Sequence, residues 1–326
     1  MSGRWVWGPV LVLLVLAPFL VGEYGTTLLS KVLALGVLAV SVAVLTGHAG
    51  LPTLGQVAPY AVGAYTAALL GRAGVDVGVV QLGAALSAGA AFAAATGALV
   101  VRTRGVTALM VTLAVGELTA TAAGRWKEVT GGTDGLAGIP PVRPLWGMAP
   151  LDSDQAVYWY LLAAAVLAVG ATTALLRSPA GALLAGCRDH EVRMRASGHP
   201  VTRYLFTAHV AAGALAGVGG ALLVTGQAYV SPGDAGFDVS ALVLLAVVIG
   251  GERSVAGALL GAGLIVATRD WLAGPLPEHG PLLLGVLFVL TVYLLPDGMA
   301  GLGARWRSLP RGEAGLARRP EPEVDR

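Results

Sequence analysis

YLFTAHVAAGALAGVGGALLVTG, residues 204–226, runs for 23 residues without an Asp, Glu, Lys or Arg. A helix of that kind, rising about 1.5 Å per residue, crosses the roughly 30 Å hydrocarbon layer of a bilayer. Lipid tails are as apolar as leucine, so such helices associate through close backbone approach rather than water exclusion. Gly213, Gly217 and Ala221 fall on one stripe at four-residue spacing, and Ala212, Ala216 and Gly220 on the next. Two small-residue stripes fit packing inside a helical bundle, which is a statement about fold and not about function.

Nine more segments have the composition of a crossing: 5–21, 27–45, 53–70, 77–101, 105–123, 156–176, 237–250, 255–271 and 282–295. The segment 237–250 is short and also fits a loop that dips in and returns. Lys and Arg in short loops gather on the cytoplasmic side, which decides between these readings. Ten crossings from an inside N-terminus place fifteen basic residues inside and five outside; a re-entrant 237–250 gives nine against eleven. The expectation is an all-α polytopic membrane bundle of about ten transmembrane helices with both termini cytoplasmic. Residues 1–302 form the membrane domain, and 303–326 an Arg- and Pro-rich cytoplasmic tail expected to be disordered. The opening residues resemble a signal peptide, but bulky Phe19, Leu20 and Val21 and the lack of a small-x-small site point to an uncleaved first helix.

Composition agrees. Of 326 residues 56% are hydrophobic and 12% charged, with mean hydropathy +0.75; a soluble domain carries about twice that charge. The lone Cys187 has no partner for an internal disulfide, and no Cys/His cluster has metal-ligand spacing. A nucleotide-binding P-loop needs Lys followed by Ser or Thr, whereas Lys31 precedes Val32 and Lys127 precedes Glu128. Any coupling to ATP therefore belongs to a partner. No nucleophile, base and orienting group converge in the spans, so the chain is read as a non-enzyme without metal, cofactor or nucleic-acid partner.

Two loops carry information. In 177–203, Ser178 as N-cap, Pro179 at the first helical position and a stop at Gly198 and Pro200 predict a short polar helix outside the membrane. Its expected pairs are Asp189 with Arg193, Glu191 with Arg195 and Arg188 with Glu191. A solvated connecting helix and a docking surface for a cytoplasmic subunit both fit. The external loop 125–155 is rich in Gly, Asp and Pro and is expected to form an ordered cap.

Within the spans, Gly47, Gly50, Pro52, Gly55 and Pro59 crowd the start of 53–70. Such density interrupts a helix at membrane depth, where the freed backbone lines a substrate path or meets neighbouring helices. Ionisable groups inside a membrane are functional suspects. Lys31 and Glu117 lie at similar depth and are expected to pair or to flank the entrance. His209 is read as a hydrogen-bonded packing residue.

Three stretches together resemble the permeases of bacterial ATP-driven importers for branched-chain amino acids, in particular the LivM-like member of the permease pair. They are GLPTLGQVAPYAVGAYTAALL at 50–70, VTLAVGEL with TGGTDGLAGIP between 111 and 140, and RDHEVRMRASG at 188–198 leading through 201–222 to YVSP at 229–232 and VVIGG at 247–251. The resemblance implies a second homologous permease, two cytoplasmic ATPases that bind the ATP, an extracytoplasmic substrate-binding protein and a bacterial cytoplasmic (inner) membrane. It makes 188–198 the coupling element that sits in the ATPase cleft, through Arg188, Asp189, Glu191, Arg195 and Gly198. The substrate path is expected at Gly50, Leu51, Gly55, Gln56, Tyr60, Thr112 and Glu117. The sequence departs from the family where Gln56 replaces its usual His, Ala58 and Pro59 its aromatic residues, and Glu252 and Arg253 its glycine pair. Those departures bear on substrate identity: urea or a short amide is the alternative cargo, and an ATP-independent secondary transporter the alternative mechanism.

Overall fold

The computed structural model describes residues 4–272 and eight positions between 282 and 299. Among the described residues, five helices are long and apolar enough to cross a membrane. The tail 303–326 lies outside the described residues. The expected crossing at 282–295 is described at six positions, all helical.

The chain opens with α1, Arg4–Ala43, which is broken at Gly22 by a backbone at φ 68°. Only glycine adopts that conformation without penalty, so the two expected crossings are joined by a single residue. The Tyr158 hydroxyl donates to the Leu14 carbonyl at 2.7 Å and ties the first half of α1 to the helix that carries Tyr158. A π-helical turn, Val44–Ala49, ends at Gly50 in the left-handed region. Residues 50–56 are non-helical before α2, Val57–Arg72, so the expected interruption is present. Then come α3, Gly78–Val100, and α4, Gly105–Arg125.

The loop after α4 is ordered. It holds α5, Lys127–Thr130, and β1, Leu136–Ala137, which pairs antiparallel with β2, Tyr229–Val230, from much later in the chain. Arg143 pairs with Asp76 at 3.0 Å and the Arg72 guanidinium donates to the Ala137 carbonyl at 2.9 Å, fastening this cap to the α2–α3 turn.

After α6, Asp154–Arg177, a hairpin of α7, Pro179–Asp189, and α8, Glu191–Ala196, leads to α9, Val201–Gln227. The chain ends its described run with α10, Phe237–Gly250, α11, Val255–Val266, and a π-helical turn, Ala267–Leu272. At 14 residues α10 is about 21 Å long, less than a bilayer core. A 3-10 turn, Pro232–Ala235, precedes it, and its Ala235 carbonyl comes close to Gly116 on α4.

α9 is the hub, with 78% of its most apolar window buried against 22% for α4. A Cβ on Gly217 would meet the Ala85 carbonyl of α3, one on Gly63 the Gly217 carbonyl, and one on Gly220 the Tyr60 carbonyl of α2. Three backbones thus meet at one level, which is the small-residue packing that lipid demands. Gly250 meets Gly257 and Gly261 meets Ala246, so α10 and α11 form an antiparallel hairpin. Gly298 lies against Gly251 at the turn of that hairpin, so the chain is back at this end by residue 298.

Candidate functional site

The ends of the bundle differ. One gathers Arg102, Arg104, the α7–α8 hairpin and Arg253; the other carries the β1–β2 cap. At the arginine-rich end the predicted single helix of 177–203 is two. His190, at φ −148° and ψ 67°, separates α7 from α8. Pro179 does occupy the first turn, but the Ser178 hydroxyl bonds back to Leu175 at 2.6 Å instead of capping α7. Gly198 follows α8 at φ +82°, as a helix stop requires.

That break redirects the charges. The Glu191–Arg195 pair forms at 2.8 Å. Asp189 instead approaches Arg253 at 4.0 Å, and the Arg188 guanidinium donates to the Gly47 carbonyl. A helix that stops at Asp189 has no next turn to offer an i,i+3 or i,i+4 partner, so both expected pairs are lost to tertiary ones. Glu191 also accepts a two-pronged contact from Arg104, Nε at 3.0 Å and Nη2 at 2.8 Å. The Arg104 hydrogen bonds, then those of Arg195, lower the Glu191 carboxyl to about 2 from 4.5.

The broken segment 50–56 lies directly above. Gly50 touches the Arg188 side chain, which leaves no room for a Cβ. Leu51 is 2% exposed and packs with Leu45, Leu184, Cys187 and Leu205, so it joins the hairpin to the bundle. Further in, the Leu54 N–H donates to the Thr112 hydroxyl at 3.1 Å, and a Cβ on Gly55 would stand 2.6 Å from the Thr112 carbonyl oxygen. Gln56, beside them, is 1% exposed with neither amide atom hydrogen-bonded. Tyr60 sits one turn on, buried against Gly219 and Gly220.

Glu117 does not join this group. It is exposed on the outward face of α4, with Met110 and Leu118 exposed along the same helix. Nor does it meet Lys31, which pairs with Asp270 at 3.3 Å. Equal depth does not make two helices neighbours: α1 packs on α6, α9, α10 and α11, and α4 on α2, α3, α10 and the Pro232–Ala235 turn, so α10 stands between them. His209 packs against Gly97 as a buried residue, but its Nδ1 has no hydrogen-bond partner.

Two residues were missed. Arg104 gave no local signal, because its partner lies 87 positions away. Asp234 caps its own turn, accepting from the Ser231 N–H at 2.8 Å, and burial raises its carboxyl. The tripeptide Ser231-Pro232-Gly233 ahead of Asp234 was a legible cap signal.

The family model described as branched-chain amino acid transport system / permease component matches residues 25–292. The chain belongs to this permease family. Curated relatives are the high-affinity branched-chain amino acid transport system permease proteins LivM of Salmonella typhimurium LT2, 31% identical, and Escherichia coli K12, 32% identical. Each alignment covers 94% of this chain and 76% of the relative. No solved structure matches. The permease is thus a multi-pass membrane protein of an amino-acid transport family, and its relatives are transport components rather than enzymes.

Proposed function

We propose that this permease forms the translocation path of an ATP-binding-cassette importer for branched-chain, hydrophobic amino acids in a bacterial cytoplasmic membrane. A second homologous permease completes the path. Two ATPases dock under the arginine-rich end, where they bind the ATP, and a binding protein delivers substrate to the β1–β2 cap. Ten crossings with both termini cytoplasmic accompany this reading.

The single observation that carries it is the attachment of the α7–α8 hairpin to the helix break. Arg188 holds Gly47 just before the segment 50–56, and Thr112 holds Leu54 within it. Closure of an ATPase pair on the hairpin then shifts the broken segment and alternates access to the path around Gln56 and Tyr60. The names of the curated relatives support the cargo. A urea or short-amide cargo is the second reading, favoured by the unpaired Gln56 amide, which offers one donor and one acceptor group to such a ligand.

The test is uptake of labelled leucine into proteoliposomes carrying the assembled transporter. Uptake is expected to require ATP and both ATPases; persistence without them would make the protein a secondary transporter. Glu191→Lys is expected to remain in the membrane and to leave ATP hydrolysis running while leucine uptake falls by about tenfold or more. Titration of the binding protein with leucine and urea separates the two cargoes.

A further inference from the structure

Arg104 occupies the N-cap position of α4, immediately after the turn that ends α3. Its guanidinium makes four hydrogen bonds: Nη1 to the Val101 carbonyl at 2.6 Å and the Thr103 carbonyl at 2.8 Å, Nε and Nη2 to the two Glu191 oxygens. One side chain therefore joins the end of α3, the start of α4 and the first residue of α8. Isolated exposed ion pairs contribute little, as befits Arg253–Asp189 at 4.0 Å. A guanidinium fixed by a two-pronged carboxylate and two carbonyls is a different case, because its geometry is set on every side.

The rest of α4 continues the connection. Eight residues past Arg104, Thr112 accepts from the Leu54 N–H, and its carbonyl abuts Gly55. The broken segment is consequently held twice from the hairpin. The first hold runs from Arg188 at the end of α7 to Gly47 and Gly50. The second runs from Glu191 at the start of α8 through Arg104 and α4 to Leu54 and Gly55. His190, the non-helical residue between α7 and α8, lies between the two grips.

We propose that Arg104 is a positioning residue for transport: it carries movement of α8 into α4 and so to the segment 50–56 beside Gln56. This rests on the docking of ATPases at the hairpin, and the experiment separates the two ideas. In the assembled transporter, Val192→Cys, a site 82% exposed on α8, reports docking by crosslinking to an ATPase. Arg104→Gln and Arg104→Lys are made in that background, together with the exchange Arg104→Glu with Glu191→Arg. Uptake and ATP hydrolysis are measured side by side.

The expected result for Arg104→Gln is a retained crosslink, retained ATP hydrolysis and uptake lower by about tenfold, within the usual range of coupling between sites. Arg104→Lys, which keeps charge but not the fork, is expected to fall between, and the exchange to recover most of the lost uptake. Uptake by Arg104→Gln within about twofold of the parent, well under that range, with the crosslink intact, overturns the role of Arg104 and leaves docking standing. Loss of crosslink, hydrolysis and uptake together, without recovery in the exchange, also overturns it, since Arg104 then only builds the docking site. A Val192→Cys parent that never crosslinks in an intact complex overturns docking and the relay together.

Discussion

A buried side-chain amide with neither end paired costs on the order of 1–3 kcal/mol for each unsatisfied group. Gln56 is in that position, so the fold bears a penalty that a leucine of similar volume would remove. Gln56→Leu is expected to raise the thermal midpoint of the purified permease and to abolish leucine uptake in the assembled transporter. A lowered midpoint would show that the amide is paired in the folded protein and that the group has no need of substrate. Glu191 gives a second residue-scale prediction. Its carboxyl is lowered to about 2, with Arg104 the first cause. A lowered folded value means the pairing is fully in force above the ordinary 4.5 and is lost as pH falls from there through about 2. The distance between spin labels at Val192 and Val106 is therefore expected to stay constant from about pH 8 to about pH 5 and to lengthen only in stronger acid. In Glu191→Gln it is expected to be long at every pH.

Helices in lipid are positioned by what their small residues allow, and two glycines on neighbouring helices make the point. Gly220 faces the Tyr60 carbonyl at the crossing of α2 and α9, whereas Gly170 on α6 has open space around its Cα. Gly220→Leu is expected to force the two backbones apart and destabilise the fold by about 1–3 kcal/mol or more. Gly170→Ala, with nothing to displace, is expected to gain about 0.5–1 kcal/mol from helix propensity. Thermal unfolding of the two variants in detergent, followed by size-exclusion chromatography, measures both; equal effects would mean that α9 is not the packing centre. The π-helical turn Val44–Ala49 and the non-helical 50–56 belong to this scale as well. They give the wall of the bundle one segment with fewer helical hydrogen bonds to hold it, and it is the segment both linkages from the hairpin reach.

Across the molecule, charge separates the two ends, and α4 and α9 run between them with contacts at both. The cap joins α2 through Arg72, the α2–α3 turn through Arg143, α9 through the β1–β2 pair and α4 through the Thr130 hydroxyl, while the hairpin joins α4 through Arg104 and the 50–56 segment through Arg188. The outward face of α4, with Glu117 among apolar residues, has no covering within the described residues of this chain.

Apolar helical segments, the interruption before α2 and a polar helical element within 177–203 were legible in the sequence, because each depends on local composition: apolar runs, Gly and Pro density, and the sorting of arginine; the break of that polar element at His190 was not. The motifs at 50–70 and 188–198 likewise pointed to the family without any knowledge of contacts. Adjacency was not legible. Lys31 meets Asp270 and not Glu117, Glu191 meets Arg104, and Arg188 leaves its own helix for Gly47. Those partners lie 87 to 239 positions apart in the chain, and depth alone does not say which helices touch. Local chemistry determines where a chain enters and leaves lipid; only the packing of three-dimensional backbones decides which of its few charges are brought together.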